Sequence, residues 1–424
     1  MSEQTTAEAD AAGPARRSDE RHRSAAWDPR GWPWWVQTLA VFAAARVVST
    51  VLLLAAAAAQ GANPWAPSRP TYWQVTGLFW DAGWYHRIAL EGYPTELPVG
   101  ADGAVQQNAW AFFPLYPFLV RAVTTVTTLP WEVAAPLTSL VLAAAAMPLV
   151  HRAVTVGAPR AVEARPGLPL ATVALVSVFP TAVVLQVAYT EALALLLIAA
   201  TLVLLVRRRY LATGVTLLLL GLTRAVALPM LVVVLVHVVV RWREARGTGG
   251  LPGREKVRLA GLTLVAAASG VLWPAICGLV TGDPRAYLRT QEAWRGLREV
   301  TPFGSWGYVA RFWFGDAAPW VLLGGFTLVV VVLVVPAAWR LGAELHAWPA
   351  AYLLYLAAAV EPGSSLARFL LLAFPLGAVT AGVVTRPALA RRAWFAGVVV
   401  LMLVLQAVWV WQIWRLRPGS GWPP

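Results

Sequence analysis

Asp81 is the residue least expected where it stands. It lies in Phe79-Trp-Asp-Ala-Gly-Trp-Tyr-His-Arg-Ile-Ala-Leu-Glu-Gly-Tyr93, just past the first long apolar stretch of the chain. Tryptophan and tyrosine are ordinary at a bilayer surface, because an apolar ring with a polar edge suits the headgroup region. A carboxylate between Trp80 and Trp84 loses hydration, and that must be offset by hydrogen bonds, a cation or a function. The function such a group offers is proton transfer. Arg224 and Arg368 are its chemical complement, since guanidinium grips phosphate through two parallel hydrogen bonds and stays charged when partly dehydrated. Arg224 interrupts the apolar runs 215–222 and 225–236, and Arg46 lies well inside the first span. Charges in such places face a cavity or an internal partner.

Each of these residues also has a purely structural use. Asp81 suits the N-cap of a helix carrying Trp84, Ile88 and Glu91. Arg224 and Arg368 would serve as ion pairs with Glu191 or Glu361, and Glu191, which follows Tyr189, could orient Arg224. Trp84 and Tyr85 would either stack on a sugar or line the lipid boundary. His86 and Arg87 are close enough in sequence to pair with Asp81 or with phosphate, although His86 could equally be a solvated residue. Glu91 and Asp102 could join Asp81 and His86 around a divalent cation, but their spacing matches no standard metal motif.

The elements that must position these groups are membrane spans. Of the 424 residues, 58% are hydrophobic and 13% charged, and the mean hydropathy is +0.62, a balance that suits a polytopic membrane protein and no soluble globular one. The net charge of +13 does not point to nucleic acid, because the arginines sit in short clusters between apolar spans. Lys256 is the only lysine, a bias that fits a GC-rich bacterial genome. Cys277 is the single cysteine, which excludes an internal disulfide, and neither Asn63 nor Asn108 opens a glycosylation acceptor. No phosphate-binding glycine loop is present, and the glycines of 247–253 read as a plain loop.

Apolar stretches at about 36–60, 132–152, 169–187, 190–206, 211–223, 226–241, 259–280, 319–338, 348–361, 366–384 and 393–414 predict an all-α polytopic membrane protein with about eleven transmembrane helices. The two short stretches, 211–223 and 348–361, must tilt little or extend into flanking residues. Residues 1–33 read as a disordered cytoplasmic tail, 34–416 as the membrane domain and 417–424 as a short outer tail. Arginine clusters at Arg16 and Arg17, at Arg152, Arg160 and Arg165, and at Arg207, Arg208 and Arg209 put the N-terminus inside by the positive-inside rule. The long segments 61–131 and 281–318 then lie outside, and their mixed aromatics and charges predict helices along the interface. The prolines of Phe113-Pro-Leu-Tyr-Pro117 should break helices there.

Phe79-Trp-Asp with Trp84-Tyr85, followed by Ile88-Ala and Gly92-Tyr93, resembles the first-loop motif of PIG-V-type mannosyltransferases. Phe112-Phe-Pro-Leu-Tyr-Pro117, Phe179-Pro-Thr with Tyr189-Thr-Glu191, Leu222-Thr-Arg224, and Arg368-Phe with Phe374-Pro375 are similar to further motifs of that family, in the same order over about 80–376. The resemblance implies a GT-C-type fold, a polyprenyl-phosphate sugar donor and an active site facing outside a bacterial plasma membrane. It implies Asp81 as the base in an inverting single displacement of a hexose, mannose by family, onto a glycan or glycolipid acceptor. Arg224, Arg368 and Arg87 would hold the donor phosphate, and Trp80, Trp84, Tyr85, His86, Tyr189 and Glu191 would contact substrate. One carboxylate is enough for such a reaction, unlike the pair a glycosidase needs. A polytopic transporter or flippase of lipid-linked sugars is the rival reading; it would carry its charges near mid-membrane and show paired halves with interrupted helices.

Overall fold

The computed structural model describes residues 31–296 and 298–417. The tail expected at 1–33 lies almost wholly outside the described residues, as does that expected at 417–424. Among the described residues the regular elements are all helices, and β pairing is confined to isolated bridges such as Asn63 with Ala66 and Val99 with Val105.

In chain order the helices begin with α1 (Trp34–Ala58), α2 (Tyr72–Gly77), α3 (Asp81–Glu91), α4 (Leu115–Thr127), α5 (Trp131–Gly157), α6 (Pro159–Ala164) and α7 (Leu168–Ser177). They continue with α8 (Glu191–Val206), α9 (Tyr210–Gly221), α10 (Ala227–Ala245), α11 (Gly253–Thr281), α12 (Ala286–Trp294) and α13 (Ser305–Phe314). The last are α14 (Ala318–Val334), α15 (Pro336–Trp339), α16 (Ala343–Ala359), α17 (Leu366–Phe369), α18 (Pro375–Gly382) and α19 (Ala388–Trp409). Among the described residues five helices are long and apolar enough to cross a membrane: α1, α5, α11, the joined α13–α14 and α19 with its C-terminal extension. The joined α13–α14 is buried over only 6% of its most apolar window, so an apolar surface with no protein cover faces outward. A water-soluble chain could not leave such a surface bare, and the protein is a multi-pass membrane protein.

The core is built by α5 against α8, with α7 and α1 on one side and α9, α10, α11 and α16 on the other. Small residues make that contact close: Ala134, Ala135, Ala143 and Ala146 of α5 and Ala192, Ala194 and Ala199 of α8 are almost entirely buried. Without a hydrophobic force between helices in lipid, such close backbone approach is what packing has to work with. Of the two short stretches, 348–361 extends back to Ala343, whereas 211–223 stays a helix of 12 residues, Tyr210–Gly221.

Two stretches expected as continuous spans are broken well inside their length, and a third, 319–338, breaks near its end at Val335. The stretch 169–187 is α-helical only to Ser177; it then runs through a short 3₁₀ turn, Ala182–Gln186, before α8 starts at Glu191. Pro180 cannot continue the helix, and hydropathy carries no signal for such a stop. Backbone freed at membrane depth must be satisfied by protein. Arg46 does this, donating to the Ser177 and Ala182 carbonyls at 2.5 Å each and to Gln186 Oε1 at 3.3 Å. Arg46 thus gains the internal partner its position demands. The stretch 366–384 breaks likewise at Pro375, and Tyr352 and Trp348 donate to the Phe369 and Leu372 carbonyls at 3.0 and 2.9 Å.

The loop between α1 and α5 is folded onto the bundle through α2, α3 and α4. Gly77 sits so close to the start of α5 that a Cβ there would lie 2.6 Å from the Glu132 backbone, and Trp131 Nε1 donates to the Gly77 carbonyl at 2.9 Å. Pro114 caps α4 rather than breaking a longer helix, and the next amide, of Leu115, donates to the Leu222 carbonyl at 3.0 Å.

Candidate active site

Four charged side chains from four distant segments meet at one end of the bundle. Arg368 Nη2 donates to Asp81 Oδ2 at 2.5 Å, and Arg368 Nη1 donates to Glu191 Oε1 at 3.1 Å. Arg224 Nη1 reaches the same Glu191 oxygen at 2.8 Å and donates to Thr190 Oγ1 at 2.9 Å. Two carboxylates and two guanidiniums leave no net charge, which is how such a group tolerates burial. The Glu191 side chain has no exposed surface and Arg368 has 6%, whereas Asp81 and Arg224 each keep 14% open.

Local structure explains the positions. Asp81 and Glu191 are each the first residue of a helix, α3 and α8, where the unpaired amides and the helix dipole favour negative charge. Asp81 is therefore not the N-cap; that place belongs to Trp80, and the Asp81 side chain makes no capping bond. Trp80 has φ +59° and ψ −128°, a conformation costing on the order of 1–3 kcal/mol outside glycine. Its indole Nε1 is anchored on the Trp414 carbonyl at 2.9 Å. The Asp81 amide in turn donates to the Tyr189 hydroxyl at 3.3 Å. Aromatic faces flank both cations: Arg224 lies 4.3 Å over the Phe369 ring and Arg368 4.8 Å over Tyr189.

The cluster is recessed. The Tyr189 carbonyl accepts from Ser139 Oγ at 3.3 Å, and Ser139 lies two turns along α5 from Trp131, about 12 Å of helix. Tyr85, one turn past Asp81, is buried beside it with its hydroxyl 3.4 Å from Thr190 Oγ1. Burial and then the Asp81 charge push the Tyr85 phenol far above its usual range, so it stays a neutral donor.

Other expected site residues go elsewhere. Arg87 pairs with Glu91 at 2.8 Å on the exposed side of α3, away from the cluster. His86 stacks on Trp131 with ring centroids 5.1 Å apart, and burial lowers its pKa against a smaller opposing effect of Glu132. Trp84 stacks on Phe112 at 5.6 Å and lines an open pocket with Asp102, Gln106 and Gln107. Asp102 is spent on the Ala104 amide at 3.1 Å. Asp81, His86, Glu91 and Asp102 are not gathered, and among the described residues no group of three His, Cys, Asp or Glu could hold a metal ion. Arg368, expected on phosphate, has both terminal nitrogens on carboxylates, while the hydrogen bond and ion pair of Arg224 both go through Nη1. Thr190 was not singled out in sequence, although it stands inside Tyr189-Thr-Glu191; Trp414 had no local signal at all.

The fold and site define an all-α multi-pass membrane protein with a recessed, charge-balanced cluster at one end. No protein-family model matches the chain, and no curated protein matches it in sequence. Among solved structures it is similar to the oligosaccharyltransferase of Archaeoglobus fulgidus tethered to an acceptor peptide containing the NVT sequon, at 12% identity, with 88% of this chain and 55% of that chain covered and a TM-score of 0.44. The same oligosaccharyltransferase in complex with Zn and sulfate gives 12% identity, 88% and 53% coverage and a TM-score of 0.41. The chain thus spans about half the length of these structures.

Proposed function

We propose that the protein is a GT-C-type membrane glycosyltransferase that moves a hexose, mannose by its motif resemblance, from a polyprenyl phosphate to a glycan or glycolipid acceptor outside a bacterial plasma membrane. What carries this reading is the pairing of Asp81 with Arg368 inside a cluster that also presents Arg224. The acceptor oxygen attacks C1 as the C1–O bond to phosphate breaks with inversion. Asp81 takes the hydroxyl proton, and the departing electron pair stays on the phosphate oxygen, where Arg224 stabilises it. Arg368 holds and aims the Asp81 side chain, and bonds phosphate only if it yields one carboxylate. Tyr85, Tyr189 and Trp80 position the base; Trp84, with the open pocket beside it, suits the acceptor side.

The two broken helices favour one rival, a transporter or flippase of lipid-linked sugars, because interrupted helices also build transport sites. Purified protein in detergent separates the two, since transport is undefined without compartments. With radiolabelled polyprenyl-phosphate mannose and an acceptor extract from membranes, we expect transfer by the wild type and a fall of about 100-fold or more in Asp81→Asn. Undiminished transfer by Asp81→Asn removes Asp81 as base; binding of donor with no transfer by the wild type removes the enzyme.

A further inference from the structure

At the end of the bundle opposite Asp81, three arginines from separate segments line one concave pocket. Arg165 follows α6, Arg340 follows α15 and Arg391 belongs to the first turn of α19. Leu168, Leu341 and Ala378 supply an apolar wall, and the pocket is a cavity of about 50 Å³ that opens to the surface. No carboxylate lines it, and none of the three arginines forms an ion pair among the described residues.

Two plainer explanations account for part of this. Arg165 donates to the Ala381 carbonyl and so helps to close the C-terminal end of α18, and Arg391 donates at 3.3 Å to the Thr385 carbonyl in the loop that follows. Arg340 has no such hydrogen bond among the described residues and is exposed. The positive-inside rule accounts for arginines near the membrane surface, but not for three separate segments placing them around one cavity. Burial, and to a smaller extent the Arg391 charge, hold the Arg165 guanidinium below its ordinary range.

We propose that this pocket binds the phosphate of an anionic phospholipid, gripped by Arg165, Arg340 and Arg391 with its glycerol end against the apolar wall. Clustered guanidiniums match phosphate oxygens, and a basic pocket between helix ends at a membrane surface is where a headgroup arrives without leaving the bilayer. The wall of Leu168, Ala337, Leu341 and Ala378 is apolar, which favours a lipid over a soluble phosphate. The inference does not depend on the glycosyltransferase reading.

Native mass spectrometry of the full chain in detergent tests it, with phosphatidylglycerol, phosphatidylcholine and inorganic phosphate as probes. We expect one tightly held phosphatidylglycerol in the wild type, weakened about 30-fold in Arg340→Gln/Arg391→Gln and unchanged in Arg243→Gln, an exposed arginine at the same end outside the pocket. Arg165 is left in place so that its bond to α18 persists. Equal binding of phosphatidylcholine, or equal loss in Arg243→Gln, reduces the effect to diffuse charge and overturns the pocket. Displacement of the lipid by millimolar inorganic phosphate overturns the lipid assignment and gives the pocket to a soluble anion.

Discussion

Arg368 joins Asp81 at 2.5 Å across 287 residues of sequence. That one bond ties the loop carrying α3 to the break before α18, and through Glu191 it extends to the break before α8. The irregular segments of the bundle therefore end on the residues with the chemistry. Breaking a buried pair by removing one partner is far costlier than the pair is worth, because the other charge is left uncompensated.

Arg368→Met should accordingly lower stability by about 3–5 kcal/mol, read as an earlier melt by size-exclusion chromatography of heated detergent extracts. Replacing both partners, Asp81→Asn with Arg368→Met, should restore part of that loss, since Asp81 then leaves no charge facing the vacated site and Glu191 still keeps Arg224. A double variant as unstable as the sum of the singles would mean that the two side chains do not meet.

Arg224 predicts a different pattern. Glu191 keeps Arg368 when Arg224 is replaced, and the Arg224 side chain is partly open, so Arg224→Gln should melt closer to wild type than Arg368→Met. If its remaining nitrogens hold the donor phosphate, the donor KM should rise about tenfold or more while the acceptor KM stays put. An unchanged donor KM with an unchanged kcat would falsify that role, whereas a fall in kcat alone would confine Arg224 to the charge that develops on the leaving phosphate.

His86 gives a pH test. Its pKa is lowered in the fold, by burial first, with the Glu132 charge opposing, so the folded protein disfavours the charged ring. A depressed histidine contributes stability that is full above the unfolded value, about 6.5, and is lost as pH falls through the folded value. The wild-type melting temperature should drop between pH 7 and pH 5 more than that of His86→Phe, which keeps a ring against Trp131. Parallel pH profiles for the two proteins would remove His86 as the cause.

The sequence showed which charges were out of place but not which would meet. Asp81, Glu191, Arg224 and Arg368 were legible because each interrupts apolar or aromatic surroundings. His86 and Arg87 were grouped with Asp81 by proximity alone. On a helix of 3.6 residues per turn Tyr85 shares the face of Asp81, whereas positions 86 and 87 turn away. The broken helices failed for another reason. Apolar composition continues through Pro180 and Pro375 without a gap, so hydropathy reports one span where the backbone stops and restarts. Proline was the available signal, outweighed by the apolar run around it.

Arg46 tests whether such a break can stand without help. It is 6% exposed and far in sequence from the carbonyls it serves, Ser177 and Ala182. An unsatisfied buried carbonyl costs about 1–3 kcal/mol, and Arg46→Leu would leave both without their donor while matching the apolar surroundings. We expect a stability loss of about 3 kcal/mol, visible in the same melting assay. The break also carries Tyr189 and Glu191, so transfer activity should fall with it even though Arg46 touches neither. Arg46→Lys, with one ammonium for two carbonyls, should fall between wild type and Arg46→Leu. If Arg46→Leu melts like wild type, the freed backbone is held by something other than the guanidinium.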